Sequence, residues 1–169
     1  IRLKQNEGRL MDIAFVNRNG TGFDLATDGY DLVVADGLIT MLIHALFRDA
    51  RAPEGSIEPG TDPRGHWASS LTADAPEGSL LWLMKREKIT PDMPHEVSET
   101  LEQACQFLID DTEGDARNVT DVRAIAEKSS IRGRIEAQLN VYLSGISTPR
   151  RFTFVYDPNA GRYKLEEIE

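Results

Sequence analysis

The stretch Ile131–Leu143 limits the possible folds of this chain more than any other. Its odd positions are Ile131, Gly133, Ile135, Ala137, Leu139, Val141 and Leu143, while Arg132, Arg134, Glu136, Gln138 and Asn140 occupy even ones. Successive side chains of a strand point to opposite faces, so this pattern predicts a strand with one buried and one wet face. Phe152, Phe154 and Tyr156 repeat the alternation, Asp157-Pro158-Asn159-Ala160-Gly161 turns the chain, and Tyr163 and Leu165 run back. Residues 117–127 are read as a further strand. The outcome is an antiparallel sheet over 116–169 whose last strand lies at an edge. Free amides and carbonyls there can accept a strand from another protein, with Phe152, Phe154, Tyr163 and Leu165 as the candidate positions.

Such a sheet needs a cover, and two segments carry helical periodicity. Thr90-Pro91-Asp92-Met93-Pro94 is a helix start, with Thr90 or Asp92 as cap and the prolines where missing amides cost least. Val97, Leu101, Ala104, Cys105 and Leu108 then recur at helical spacing to about Asp111, opposite Glu96, Glu99, Glu102 and Asp110. A second helix is predicted from about Asp36, as N-cap, to about Asp49. Leu38, Met41, Leu42, Ala45 and Leu46 form its stripe, widened by Ile39, Ile43 and Phe47. Gly37, Thr40, His44 and Arg48 leave only a narrow polar strip. A helix this apolar is covered on more than one side, and another chain can supply part of that cover.

Before this helix, residues 11–34 read as a short β-meander. Met11, Ile13 and Phe15 alternate with Asp12 and Ala14, Asn19-Gly20 and Asp28-Gly29 mark turns, and Tyr30–Val34 supplies the third strand. After it, residues 53–79 contain Pro53, Pro59, Pro63 and Pro76 with Gly55, Gly60, Gly65 and Gly78, and no period survives. This predicts an irregular loop anchored by Trp67, either a mobile surface loop or one ordered by a partner. It feeds the run Leu80–Met84, followed at once by Lys85, Arg86, Glu87 and Lys88: an apolar anchor with a polar handle. Trp82 is expected to be buried there, at a truncation cost of ~3–5 kcal/mol. The expected class is therefore α+β: a short N-terminal β-meander and two to three helices packed on a C-terminal antiparallel sheet. One domain, 1–169, would hold both parts, 11–112 and 116–169.

Composition narrows the functions. The formal net charge is −9, so phosphate-rich partners are disfavoured: no nucleic acid and no anionic membrane surface. No apolar run approaches the ~20 residues of a membrane span. Ile1–Leu10 lacks the apolar core of a signal peptide, so export by the usual route is not expected. Cys105 is the one cysteine and is read as a small buried apolar residue. His44, His66 and His95 lie far apart, and with one cysteine they make no zinc set. No phosphate-binding loop, nucleophile elbow or dinucleotide fingerprint is present. Hence no catalytic residue, metal or cofactor is assigned.

The one enzymatic alternative is a glycoside hydrolase using Glu87 and Asp49 as a carboxylate pair near Trp82. Glu87 lies among Lys85, Arg86 and Lys88, and Asp49 beside Arg48 and Arg51, surroundings that favour two ionised carboxylates instead. Arg51 and Arg86 admit two readings: bidentate pairs with Asp49 and Glu87 that fix how the apolar segments meet, or solvated surface pairs. An acidic DNA-mimicking adaptor would suit the charge but not the basic clusters Lys85–Lys88 and Arg132/Arg134.

Several motifs, taken together, resemble a known family. They are Met11-Asp12-Ile13-Ala14, Asp31-Leu32, Asp36-Gly37-Leu38 and Leu46-Phe47-Arg48-Asp49-Ala50-Arg51-Ala52. Gly65-His66-Trp67, Gly78-Ser79-Leu80-Leu81-Trp82-Leu83 and Arg86-Glu87-Lys88 complete the set. Their order and spacing over about residues 11–110 resemble the Mu-like phage baseplate wedge proteins, related to the small wedge protein of T-even phages. His66 departs from the aromatic or bulky residue often found there. The resemblance implies a structural subunit, six copies around the tail hub, that joins larger wedge proteins and offers a β-sheet on which the tail sheath starts. Other wedge subunits, the sheath protein and hub or tube proteins would be its partners. Its place would be the virion's tail baseplate, with assembly in the host cytoplasm. Residues 36–49 and 80–88 would meet wedge partners, making Asp49, Arg51, Trp67, Trp82, Arg86 and Glu87 the candidate contacts. The sheet over 131–168 would meet the sheath.

Overall fold

A computed structural model describes residues 11–17, 23–65, 78–84, 88–110, 118–157 and 162–168. The architecture is α+β. Four strands, β5 (Val119–Lys128), β6 (Ile135–Leu143), β7 (Arg150–Asp157) and β8 (Arg162–Ile168), form an antiparallel sheet in sequence order. Helix α2 (Met93–Asp110) packs on β5 and β6, and α1 (Gly37–Phe47) packs against α2.

The alternation read from the sequence sets this core. Ile135, Ala137, Leu139 and Val141 of β6 and Phe152, Phe154 and Tyr156 of β7 are all buried beneath α2 residues Val97, Leu101, Ala104, Cys105 and Leu108. Thr90 caps α2, its hydroxyl accepting the Met93 amide at 3.1 Å. Two details of the sheet differ from expectation. Strand β6 begins at Ile135, because Gly133 holds the left-handed φ of 85° and residues 129–134 form a turn closed by Ser129 N–H to the Arg134 carbonyl at 3.0 Å. Asn140, on the expected wet face, is buried and accepts from the Gln138 amide at 2.8 Å.

The N-terminal strands form two short antiparallel pairs. β1 (Met11–Ile13) pairs with β4 (Val34–Asp36), while β2 (Phe15–Asn17) pairs with β3 (Phe23–Leu25). The switch happens at Ala14, whose N–H donates to Val33 and whose carbonyl accepts from Ala26, both at 2.8 Å. The third strand begins at Val34 rather than Tyr30, because residues 28–31 form a tight turn.

Helix α1 explains how this small unit is seated. Leu38, Leu42, Ala45 and Leu46 enter the main core. Its polar strip does not simply face water. Thr40 is buried and donates to the Ile13 carbonyl at 3.4 Å, and the His44 ring meets Phe15 edge-on at 5.6 Å. Phe47 bridges the two regions, with ring centroids 4.8 Å from Phe23 and 5.9 Å from Phe154. A hydroxyl and a ring thus seat the strands on α1.

Candidate functional site

Past Phe47 the chain straightens, and residues 48–52 are held from two sides. Ser79 N–H donates to the Arg48 carbonyl at 2.8 Å and Ala50 N–H to the Ser79 carbonyl at 2.9 Å, a short parallel bridge. On the loop side, Ala52 N–H donates to the Pro63 carbonyl at 2.8 Å. The Ser79 hydroxyl caps the end of α1 by donating to the Leu46 carbonyl at 3.0 Å. Glycines permit this closeness. Gly78 has φ 101°, and a Cβ there would lie 2.6 Å from the Arg48 oxygen; one on Gly65 would lie 2.7 Å from the Arg51 Cβ.

The apolar run then forms a single 3₁₀ turn, Leu81–Met84. Leu81 is its fully buried residue, whereas Trp82 is half-buried. The indole N–H of Trp82 donates to the Ala50 carbonyl at 2.8 Å, and the Arg64 guanidinium lies over its ring, 4.3 Å from the centroid. Arg64 also pairs with Asp49 at 2.5 Å. Asp49, Arg64 and Trp82 therefore form one stack that ties loop, helix end and 3₁₀ turn together. The full burial expected of Trp82 is corrected: an indole that must reach a carbonyl at the rim cannot also sink into the core.

Asp49 takes Arg64 as its partner rather than the neighbouring Arg51, which remains exposed. Arg64 was invisible to motif reading because it sits in an aperiodic loop, and its φ of 54° is unusual for a non-glycine residue. Trp67, Arg86 and Glu87 lie outside the described residues. Asp49 faces solvent beside a guanidinium, not the enclosed apolar pocket in which a glycosidase acid works. Burial pushes the Cys105 thiol up to about 12, so it carries no thiolate chemistry. Among the described residues, no group of three or more His, Cys, Asp or Glu side chains could hold a metal ion. No described helix is long and apolar enough to cross a membrane.

Among the described residues the main sheet ends on β5 at one side and β8 at the other. On β5, the Ala124 amide donates to the Glu102 carboxylate of α2 at 2.8 Å and the Val122 amide to the Asp121 carboxylate at 2.9 Å. A bulge at Thr120 adds twist there. On the other side, β8 has no strand beyond it among the described residues. Tyr163 stands opposite Tyr156 and Leu165 opposite Phe154, and Glu166 is the extra residue of a bulge. Phe152 and Phe154 lie on β7, an inner strand bonded to both β6 and β8, and their side chains are buried. Any added strand would therefore meet β8, not those two phenylalanines.

The model of the family described as Phage protein GP46 matches residues 38–145, from α1 through the clasp and α2 to the end of β6. This chain belongs to that family. It is 39% identical over 100 residues to the Baseplate protein gp46 of Escherichia phage Mu, covering 59% of this chain and 68% of that protein. It is 34% identical over 102 residues to the Mu-like prophage FluMu protein gp46 of Haemophilus influenzae, covering 60% of this chain and 69% of that protein. No solved structure matches the chain. The GP46 match spans the Asp49–Arg64–Trp82 stack entirely, while the N-terminal strands, β7 and β8 fall outside it.

Proposed function

We propose that this GP46 chain is a structural subunit of a phage baseplate wedge, located in the virion's tail and not an enzyme. It joins larger wedge proteins around the hub through the Asp49–Arg64–Trp82 clasp and the adjoining 80–88 segment, to which Arg86 and Glu87 belong. The baseplate name of the phage Mu relative and the family membership support the coarse role. The observation that carries the finer reading is the strand order: β8 is the last strand of the sheet among the described residues. A sheet that ends on such a strand is suited to templated strand addition. The bulge at Glu166 limits the flat part of that edge to 162–165, the stretch holding Tyr163 and Leu165. Six copies around the hub would present six such edges to the first ring of sheath protein. Assembly takes place in the host cytoplasm.

The test is deletion of residues 162–169 in a phage lysogen. Wedges should still form, while sheath polymerisation fails and tails remain bare. Normal contractile tails from that deletion would remove the strand-addition part of the proposal. Absence of the intact chain from purified tails would remove all of it.

A further inference from the structure

Two hydrogen bonds on β5 lie outside the ladder of the sheet, and together they close part of an edge. The direction of the β5 amides follows from the turn that ends the strand. Ser129 N–H donates to the Arg134 carbonyl at 3.0 Å, and Lys128 stands opposite Ile135. Along an antiparallel strand the amides alternate between the partner and the outside. The odd-numbered amides at this end of β5 therefore reach β6, and those of Val122, Ala124, Ala126 and Lys128 point away from it. Two of these are occupied. Val122 N–H donates to Asp121 Oδ1 at 2.9 Å, and Ala124 N–H to Glu102 Oε1 at 2.8 Å.

Other parts of the chain hold both carboxylates in place. Asp121 uses its second oxygen to accept from Arg123 Nε at 2.9 Å. Glu102 stands on α2 directly after the buried Leu101, so it rises at the border of the helix's inward face. The β5 residues that pack toward α2 include Ala124 and Ala126, whose methyl groups let the helix lie close enough for a glutamate to reach a backbone amide.

We infer that Glu102 is a built-in stopper on β5, taking the hydrogen bond that a strand from a second copy of this chain would need. Among the described residues the sheet ends on β8 at its other side. The strand that β5 would otherwise receive is therefore β8 of another copy. Such a contact is head-to-tail, each copy using two different edges, and it continues without closing. An incoming strand bonds every second residue of its neighbour. With the amides of Val122 and Ala124 taken, those of Ala126 and Lys128 remain, too short a run to hold a strand. Of the two plugs, Glu102 joins separate elements, and a carboxylate accepts more strongly than the neutral carbonyl that would replace it. The stopper is a property of the sheet alone and stands whether or not the chain joins a wedge.

The experiment compares full-length parent, Glu102→Gln, which keeps an acceptor oxygen, and Glu102→Leu, which keeps the volume and removes it. Amide exchange, sedimentation over a range of concentrations and thermal melts are measured on each. In the parent, the Ala124 amide should exchange at least tenfold more slowly than that of Ala126, which faces the same way. Glu102→Gln should behave like the parent. Glu102→Leu should lose the Ala124 protection when dilute and should associate at concentrations about tenfold or more below any at which the parent does, with protection then appearing on β8 as well as β5. A folded Glu102→Leu that stays monomeric, or an associated form whose β8 exchanges as in the parent, overturns the inference. If Glu102→Leu does not fold, the parent and Glu102→Gln decide: equal exchange at Ala124 and Ala126 overturns it, and a tenfold difference kept by the glutamine upholds it.

Discussion

The two β regions of this molecule are built from similar side chains and spend them in opposite ways. In the C-terminal sheet, Ile135, Leu139 and Val141 are 0% exposed, whereas Ile13, Val16 and Leu25 of the N-terminal strands are 37–41% exposed. Strand length and cover account for the difference. β5, β6 and β7 run for 10, 9 and 8 residues, each adding its inward residues to a face that α2 closes. β1 to β4 have 3 residues apiece and rest on the narrow polar strip of α1. Sheets so short cannot bury both faces of their apolar content in one chain. The sheet is thus the part that makes the protein stable, and the N-terminal unit is the part with apolar surface to offer.

The largest test of that division is Leu139→Ala. Leu139 is fully enclosed by β7, β5 and α2, so truncation should cost ~2–5 kcal/mol, read as a lower denaturant midpoint. A loss well under ~1 kcal/mol would mean the sheet is not the stabilising core. Next is Gly78→Ala, which combines a left-handed φ with a 2.6 Å approach to the Arg48 oxygen. It should cost ~1–3 kcal/mol and loosen the 48–52 segment, seen as faster amide exchange at Ala50.

Glu102→Ala addresses the guarded edge. Losing the Ala124 amide's acceptor should cost about 1 kcal/mol or somewhat more, and the bared strand should raise concentration-dependent self-association. Unchanged association would show that the helix itself, not the carboxylate, protects β5. Arg64→Ala should cost less than ~1 kcal/mol, because the ion pair and the ring contact are both partly solvated. Trp82→Ala should likewise fall below the ~3–5 kcal/mol of a fully buried aromatic.

How far the sequence disclosed all this follows the same division. Helix α2 and strands β6 and β7 were legible because their periods run long enough to be unambiguous, and Thr90 marked the start. The Ala14 partner switch was not, because a strand of three residues carries no signal of which neighbour it takes. Nor was the buried role of Thr40, since a hydroxyl on a polar strip looks the same whether it meets water or the Ile13 carbonyl. The clasp hid for a further reason. Its organising residue, Arg64, lies in a stretch without period, and only the glycines at 65 and 78 signalled close backbone approach there.

The smallest expected effect bears most directly on the comparison. Tyr30→Ala removes a side chain that is 101% exposed, so its stability change should stay within ~0.5 kcal/mol, and Leu25→Ser, at a leucine 41% exposed, should cost no more than about 1 kcal/mol. A buried leucine of the same size would cost several times more, which makes the pair Leu139→Ala and Leu25→Ser an internal control for burial alone. If Leu25→Ser destabilised the protein as Leu139→Ala does, the N-terminal strands would be part of the core and their exposed face would have no surplus to give a partner. If it left the melt untouched and reduced incorporation into tails, the apolar residues there would be maintained for contact with a neighbour rather than for folding.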